Sequence, residues 1–490
     1  MECLVKLQKR PKFIDLIEKF QLSGAYPVFF AILCTVSGLG DKYVYLPIIS
    51  VLALSLFFSV LFVRDNKVFI APIFMIYYSL GTDNSKAFVD SNGNVLAAFD
   101  TDGFIGICIL AAFIFIPFLI RFIKDGSITL AFRERGIAFW GIAILNVAVL
   151  LGGLFSPYWS PLDLLYGAIL IAGLDLFYII LYSIVKRSDA SIIPYICRVL
   201  VVTCLLVSVQ ACSLALREHI QGNFVHFDEW SGRWILQRER LCLSWGVPTI
   251  ICATSVCGIP AALYLAKNER FPILYSLSAI IMFAITILIN TRSAMIAGGL
   301  FLLIGLIIIS FSGKNKRCNL IFTSALLIAS AVALVTVYKK MSLQMDLEEM
   351  LFRISKYLRF DSVNDRITIF NTGWQDFVSY PILGVGWNKG ALSSDVRINN
   401  FYSNMYHCIV IQMGASAGTV GLLALIYHVK DMIVLAFKRA RLDRIFLLSV
   451  PAMILLMSLV DNFVFYLNLQ IFYVAFLAIA ENHLNFSNKQ

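Results

Sequence analysis

Long apolar runs alternate with short polar connections along almost the whole chain, and a span across a bilayer takes about 20 mostly apolar residues. The pattern predicts fourteen candidate membrane helices, at 24–40, 43–63, 68–80, 103–123, 137–155, 161–185, 192–216, 242–266, 271–290, 293–312, 318–337, 406–428, 445–466 and 469–483. The third is short and the turn between the last two is weakly marked, so twelve to fourteen spans are expected. Ahead of them, KLQKRPKFIDLIEKFQLSGAY sets Phe13, Ile14, Leu16, Ile17 and Phe20 at helical spacing. It lacks the short apolar core and small-residue cleavage site of a secretory signal, and reads instead as an amphipathic helix at the membrane surface.

Two polar connections are long, about 217–241 and 338–405. In the second, Leu347, Met350, Leu351, Ile354 and Leu358 share a helical face. A further helix is expected from a cap near Asp361 and Asn364 to Pro381, followed by the Gly-rich turn PILGVGWNKG. The expected fold is all-α, a polytopic integral membrane protein of about 12–14 helices with a large, partly helical loop before the last three spans. Its parts are an amphipathic N-terminus (1–23), an N-terminal transmembrane bundle (24–216), an Arg-rich loop (217–241), transmembrane helices (242–337), the large loop (338–405) and C-terminal transmembrane helices with a short tail (406–490).

Composition agrees with this reading. Of 490 residues 59% are hydrophobic and only 14% charged, and mean hydropathy is +0.82; a soluble domain carries about 25% charged residues. The net charge of +10 does not point to nucleic acid. With the N-terminus inside, Lys and Arg gather on the connections that face the cytoplasm, such as Arg121, Lys124, Arg133 and Arg135, or Lys438, Arg439, Arg441 and Arg444. Both termini are then cytoplasmic, and the two long connections lie on the opposite, periplasmic side. The eleven cysteines are scattered through apolar runs without a C-x-x-C pair and read as small buried hydrophobes, with no metal site.

Three ionisable residues fall at one level of this topology. Arg240 enters the eighth span from outside, Arg292 sits in the tight outer turn INTRSA, and His407 lies where the large loop re-enters the membrane. Ionisable groups there are functional candidates by default. Two guanidinium forks suit a phosphate or diphosphate, and an imidazole suits a general base. Each alone has an ordinary explanation: an arginine at a span end anchors to headgroups, and a histidine at a helix start caps it. The conjunction is what points to chemistry.

Weaker signals remain. Asp100-Thr101-Asp102 has the form of a metal–diphosphate motif, or of a helix start. Asp163, Asp175 and Arg198 would suit an ion relay in a transporter, although a single buried Asp is more often bonded between helices. Asp461 and Asn462 lie near an outer span end, bonding or capping. Trp230, Trp234, Trp245, Trp374 and Trp387 fall where interfacial belts form.

From His407 the chain reads HCIVIQMGASAGTVGLL, with Gly418 eleven positions on and Gly421 after it. This resembles the His-polar-x9-Gly-x-x-Gly signature of the O-antigen polymerase and O-antigen ligase family. TRSAMIAG resembles that family's Ser/Thr-Arg-Ser turn, RLCLSWGVPTI its Arg-led stretch before a Pro, and DRITIFNTGWQDFVSYPILGVGWN its R…W…P-x-x-G-x-G segment. The likeness covers about 235–425, in the right order. Cys408 stands where the family usually has Asn, Ser or Gln, and Pro248-Thr249 replaces a common Pro-Asn.

The resemblance implies a membrane glycosyltransferase of the bacterial inner membrane with a periplasmic active site, no cofactor and no metal. Its donor would be an oligosaccharide on undecaprenyl diphosphate, and its partners would be membrane lipids and a chain-length regulator protein. His407 would be the base, with Arg292 and Arg240 holding the diphosphate. Arg366 would contact donor or acceptor, and Arg233, Arg238 and Trp374 would extend the substrate site. The expected activity is polymerisation of O-antigen or capsule repeat units. Ligation of polysaccharide to lipid A–core, and transport of polysaccharide or lipid, are the alternatives.

Overall fold

The computed structural model describes residues 12–79, 115–222, 241–342, 363–387, 406–438 and 442–487, apart from positions 41, 135, 160–166, 168–169 and 244, together with 225–228 and 233–236. The expected amphipathic helix is present as α1 (Lys12–Gln21), which meets α2 (Ala25–Leu39) at 79°. Phe13 and Leu16 are exposed along it. The Glu18 carboxylate fastens it by accepting from the backbone N–H of Arg64 (3.0 Å) and Asp65 (3.2 Å), just past the end of α3 (Lys42–Phe62).

The short third span is broken into a 3-10 turn (Asn66–Phe69), a six-residue helix (α4, Ile70–Met75) and a second 3-10 turn (Ile76–Ser79). After α5 (Ser127–Glu134) and α6 (Ile137–Leu154), a π-helical turn (Ile171–Leu176) leads into α7 (Phe177–Arg187). α8 (Ile192–Ile220) runs beyond its expected end. Beyond it the 217–241 segment is not simply a loop: Val225–Asp228 (β1) pairs antiparallel with Arg233–Leu236 (β2), Asp228 opposite Arg233. These four-residue stretches are too short to stand out from periodicity alone.

The C-terminal half comprises α9 (Pro248–Val256), α10 (Gly258–Asn268), α11 (Pro272–Ile289), α12 (Arg292–Phe311), α13 (Lys316–Ser342), α14 (Val363–Ser379), α15 (Ile409–Phe437), α16 (Leu442–Ser458) and α17 (Leu467–Ser487). Among the described residues α6, α8, the joined pair α9–α10, α11, α12 and α15 are each long and apolar enough to cross a membrane, and α1 with α2 is a seventh such unit. The protein is an integral membrane protein, predominantly helical as expected.

The centre of the bundle is α17, where Leu469 and every residue from 471 to 480 is buried, the mark of a helix enclosed on all sides. By contrast α11 and α12 turn Ile281, Ile287, Ile296, Leu300, Leu303 and Ile307 outward, as lipid-facing helices do. Polar ties register the spans. Gln210 of α8 donates to the carbonyls of Cys34 (3.2 Å) and Tyr78 (2.9 Å) and accepts the indole N–H of Trp245 (3.2 Å). Trp245 and Trp387 are therefore buried core residues, not members of an interfacial belt, because each indole N–H finds an internal acceptor; that of Trp387 donates to Val149 O (3.3 Å).

One end of the bundle is bolted by charge. Lys267, ending α10, pairs with Asp443, opening α16 (2.6 Å), and Asn315 donates to Ala266 O (3.1 Å). The fully buried Arg444 donates to the carbonyls of Leu435 and Lys438, closing the last turn of α15. Of the residues that would suit an ion relay, Asp175 accepts from Asn146 (2.8 Å), a bond between helices, Arg198 pairs with Glu269 (3.1 Å), and Asp163 lies outside the described residues.

Candidate functional site

The site is built on a break in α15. At Gly418 the backbone turns to φ 64° and ψ −154°, a region that only glycine occupies readily. A broken helix inside a membrane bares polar groups that lipid cannot satisfy. Here the segment that follows α14 supplies the partners. Val385 N–H donates to Ala415 O (2.8 Å) and Gly386 N–H to Ser416 O (3.1 Å), while Pro381 O accepts from Thr419 N–H (2.7 Å). The approach is backbone to backbone: a Cβ on Gly418 would meet Ile382 O at 2.3 Å, and one on Gly384 would meet Ala415 O at 2.4 Å. The two Gly-bearing motifs, PILGVGW and the one after His407, are thus the two halves of a single clasp.

The clasp fixes α14 beside the start of α15. Gly373 of α14 lies against Tyr406 and Ile411, and the Tyr406 hydroxyl donates to the buried Asp376 carboxylate (2.6 Å). Next to Tyr406, His407 adopts a left-handed backbone (φ 52°), which a non-glycine residue rarely does without constraint from its surroundings. Its Nδ1 lies 3.1 Å from Asp461 Oδ1, the carboxylate being 8% exposed and the imidazole 38%. With Nδ1 turned to a carboxylate, Nε2 is the nitrogen left for chemistry. Asp461 was legible in the sequence only as a polar residue near a span end. Its pairing with a histidine 54 residues away appears only in the fold.

Arg366 of α14 donates to the carbonyl of Val460, the residue before Asp461. Trp374, on the same helix, is exposed and packs beside Phe377. Arg366, His407 and Asp461 are therefore brought together.

Arg292 reaches the same end of the bundle by a different route. Asn290 takes the left-handed conformation that closes α11, with Asn290 N–H bonded to Ile287 O and Thr291 N–H to Thr286 O (3.1 Å). The chain then reverses within two residues and Arg292 opens α12. Gly313, just past the end of α12, packs against Lys267, which pairs with Asp443 at the start of α16, and Gly305 touches Phe446, so the two helices leave that end together and run antiparallel. From that contact about 20 Å of helix leads back to Arg292, and about 22 Å of chain rises toward Asp461. The two residues thus lie at the ends of those helices remote from the Lys267–Asp443 bolt. Arg292 also occupies the first turn of a helix, whose dipole disfavours a cation and favours an anion.

Arg238 and Arg240 lie outside the described residues, as do Asp100 and Asp102. Arg233 is placed only by its backbone, in β2. Among the described residues no three His, Cys, Asp or Glu side chains gather in a way that could hold a metal ion.

Residues 277–426 match the family model described as O-antigen ligase. The match covers less than a third of the chain, and over it the chain is similar to that family. It runs from α11 through the Arg292 turn, α13 and α14 to the clasp and His407, so the resemblance read from the motifs holds over that span. Asp461, which completes the histidine pair, lies beyond the matched stretch. No curated protein matches the chain.

Proposed function

We propose that the protein is a polymerase of surface polysaccharide, acting on the periplasmic face of the bacterial inner membrane. It would transfer a glycan from undecaprenyl diphosphate to an acceptor sugar hydroxyl. The observation that carries the reading is the His407–Asp461 pair, at 3.1 Å, set beside Arg366 at the end of the bundle where Arg292 opens its helix.

In this reaction His407 Nε2 takes the proton of the acceptor hydroxyl as its oxygen attacks the anomeric carbon. Asp461 accepts a hydrogen bond from Nδ1–H, holding the ring in the useful tautomer and stabilising the imidazolium that forms. The bond from the anomeric carbon to the diphosphate oxygen breaks, and its electron pair leaves with undecaprenyl diphosphate. Arg292 and Arg240 bind the charge that grows there, and one such donor is typically worth about 10²–10³ in rate. Arg366 holds donor or acceptor, with Arg233, Arg238 and Trp374 further along the substrate. The proton then passes from His407 to water.

Ligation to lipid A–core uses the same steps with another acceptor, and the description of the matched family favours it as the second reading. The test is replacement of the chromosomal copy by His407→Ala. The expected result is protein at its normal level in the membrane and no glycan ladder; a normal ladder would remove His407 as the base. A strain lacking the protein separates the two acceptors: lipid A–core capped by a single repeat unit marks a polymerase, and uncapped core marks a ligase.

A further inference from the structure

We infer that Gln412 is a positioning residue that locks His407 and Asp461 to each other from behind; the inference rests on the reading of that pair as the proton acceptor. Gln412 lies in the first turn of α15 and its side chain is fully buried. Its Oε1 accepts twice, from Tyr406 N–H (3.0 Å) and from the Asn462 side-chain amide (2.8 Å). Tyr406 precedes His407 and Asn462 follows Asp461, so one oxygen joins the residue beside the base to the residue beside its carboxylate.

The remaining polar atoms of Gln412 are also placed. Nε2 donates to Ser416 Oγ (2.8 Å), and the backbone N–H donates to Cys408 O (2.7 Å). His407, in its left-handed backbone, is thus bracketed on both sides by bonds to a single residue. Asn462 N–H donates to Asp461 Oδ1 (2.8 Å), fixing the carboxylate that faces the imidazole. The Ser416 carbonyl accepts from Gly386, so the same amide ties the pair to the clasp.

The arrangement calls for a planar group with a doubly accepting oxygen and a donor, which is what an amide offers. Leucine fills a similar volume but would leave two buried donors without an acceptor. Glutamate keeps the accepting oxygen.

The experiment uses the full chain in membranes, with the variants Gln412→Leu, Gln412→Glu, Asn462→Leu, Asp461→Asn and the double variant Gln412→Leu/Asp461→Asn. It reads kcat and KM for the lipid-linked donor. It also reads the rate at which diethyl pyrocarbonate modifies His407, followed by mass spectrometry. Misplacing a reacting group by about 1 Å costs on the order of 10²-fold, so Gln412→Leu is expected to lower kcat by that order with KM unchanged. Gln412→Glu should keep more activity than Gln412→Leu, and the double variant should be no slower than Asp461→Asn alone. His407 modification should slow in Gln412→Leu and in Asp461→Asn alike.

Additive losses in the double variant, or unchanged modification of His407 in Gln412→Leu, would overturn the inference. Should Gln412→Leu fail to accumulate, Asn462→Leu, which cuts only the link toward Asp461, decides by the same readouts. If Asp461→Asn transfers glycan at the native rate, the base assignment falls, while the modification rates still decide what Gln412 does.

Discussion

Gly418→Ala offers the sharpest test of the clasp. The native φ and ψ lie where L-residues are strained by about 1–3 kcal/mol. The new methyl would also sit 2.3 Å from Ile382 O and 2.6 Å from Leu383 N. These are backbone atoms, which cannot rotate aside, so the 381–387 segment must withdraw. Withdrawal breaks the bonds Val385 N–H to Ala415 O, Gly386 N–H to Ser416 O and Thr419 N–H to Pro381 O. At about 1 kcal/mol each these add roughly 3 kcal/mol, so the substitution should cost about 4–6 kcal/mol in all. That is a large share of the stability of an ordinary domain. Two assays apply: thermal unfolding of the purified protein in detergent, and the glycan ladder of the complemented strain. Gly384→Ala strikes the same contact from the other side and should cost a similar amount. The pair together should cost less than the sum, because the contact can be lost only once. Gly222→Ala is the control, with positive φ but open space around it, and only a strain of about 1 kcal/mol is expected there. A Gly418→Ala protein that unfolds like the native one and makes a full ladder would refute the clasp.

Other expectations follow from the same geometry. Asp461→Asn should cut transfer by about 10²–10⁴, the range of a general base, with the membrane level of protein unchanged; native activity in a membrane transfer assay would remove the pair from the mechanism. Arg292→Lys should be nearly as damaging as Arg292→Ala, since lysine lacks the bidentate fork. A lysine variant as active as the parent would make Arg292 a headgroup anchor. Transfer in washed membranes should continue in EDTA, and inhibition relieved by Mn²⁺ or Mg²⁺ would bring Asp100 and Asp102 into the reaction.

Hydrophobic periodicity carried the sequence reading a long way, because lipid imposes one demand on every span. The amphipathic helix at Lys12–Gln21, the helix ending at Ser379 before Pro381 and most of the long apolar helices stand where the pattern put them. Where local and tertiary demands diverge, the pattern is silent. The break at Gly418 lies inside a stretch that reads as one continuous span, and its partner segment reads as an ordinary Gly-rich turn; only docking reveals that each completes the other. Trp245 and Trp387 occupy belt-like positions in the sequence, yet internal acceptors draw them into the core. His407 and Arg292 stand out because charge is rare among the spans. Gln412 did not, since a neutral amide in an apolar helix reads as an ordinary buried polar residue until its partners are seen.

The clasp joins parts of the chain that lie on either side of residues 388–405, and its bonds do not depend on the peptide links between them. A site-specific protease sequence inserted there and cut after folding should therefore yield two fragments that migrate together under native conditions and separate only in denaturant. Transfer activity kept by the cut protein would show that the frame holding His407 does not need that link.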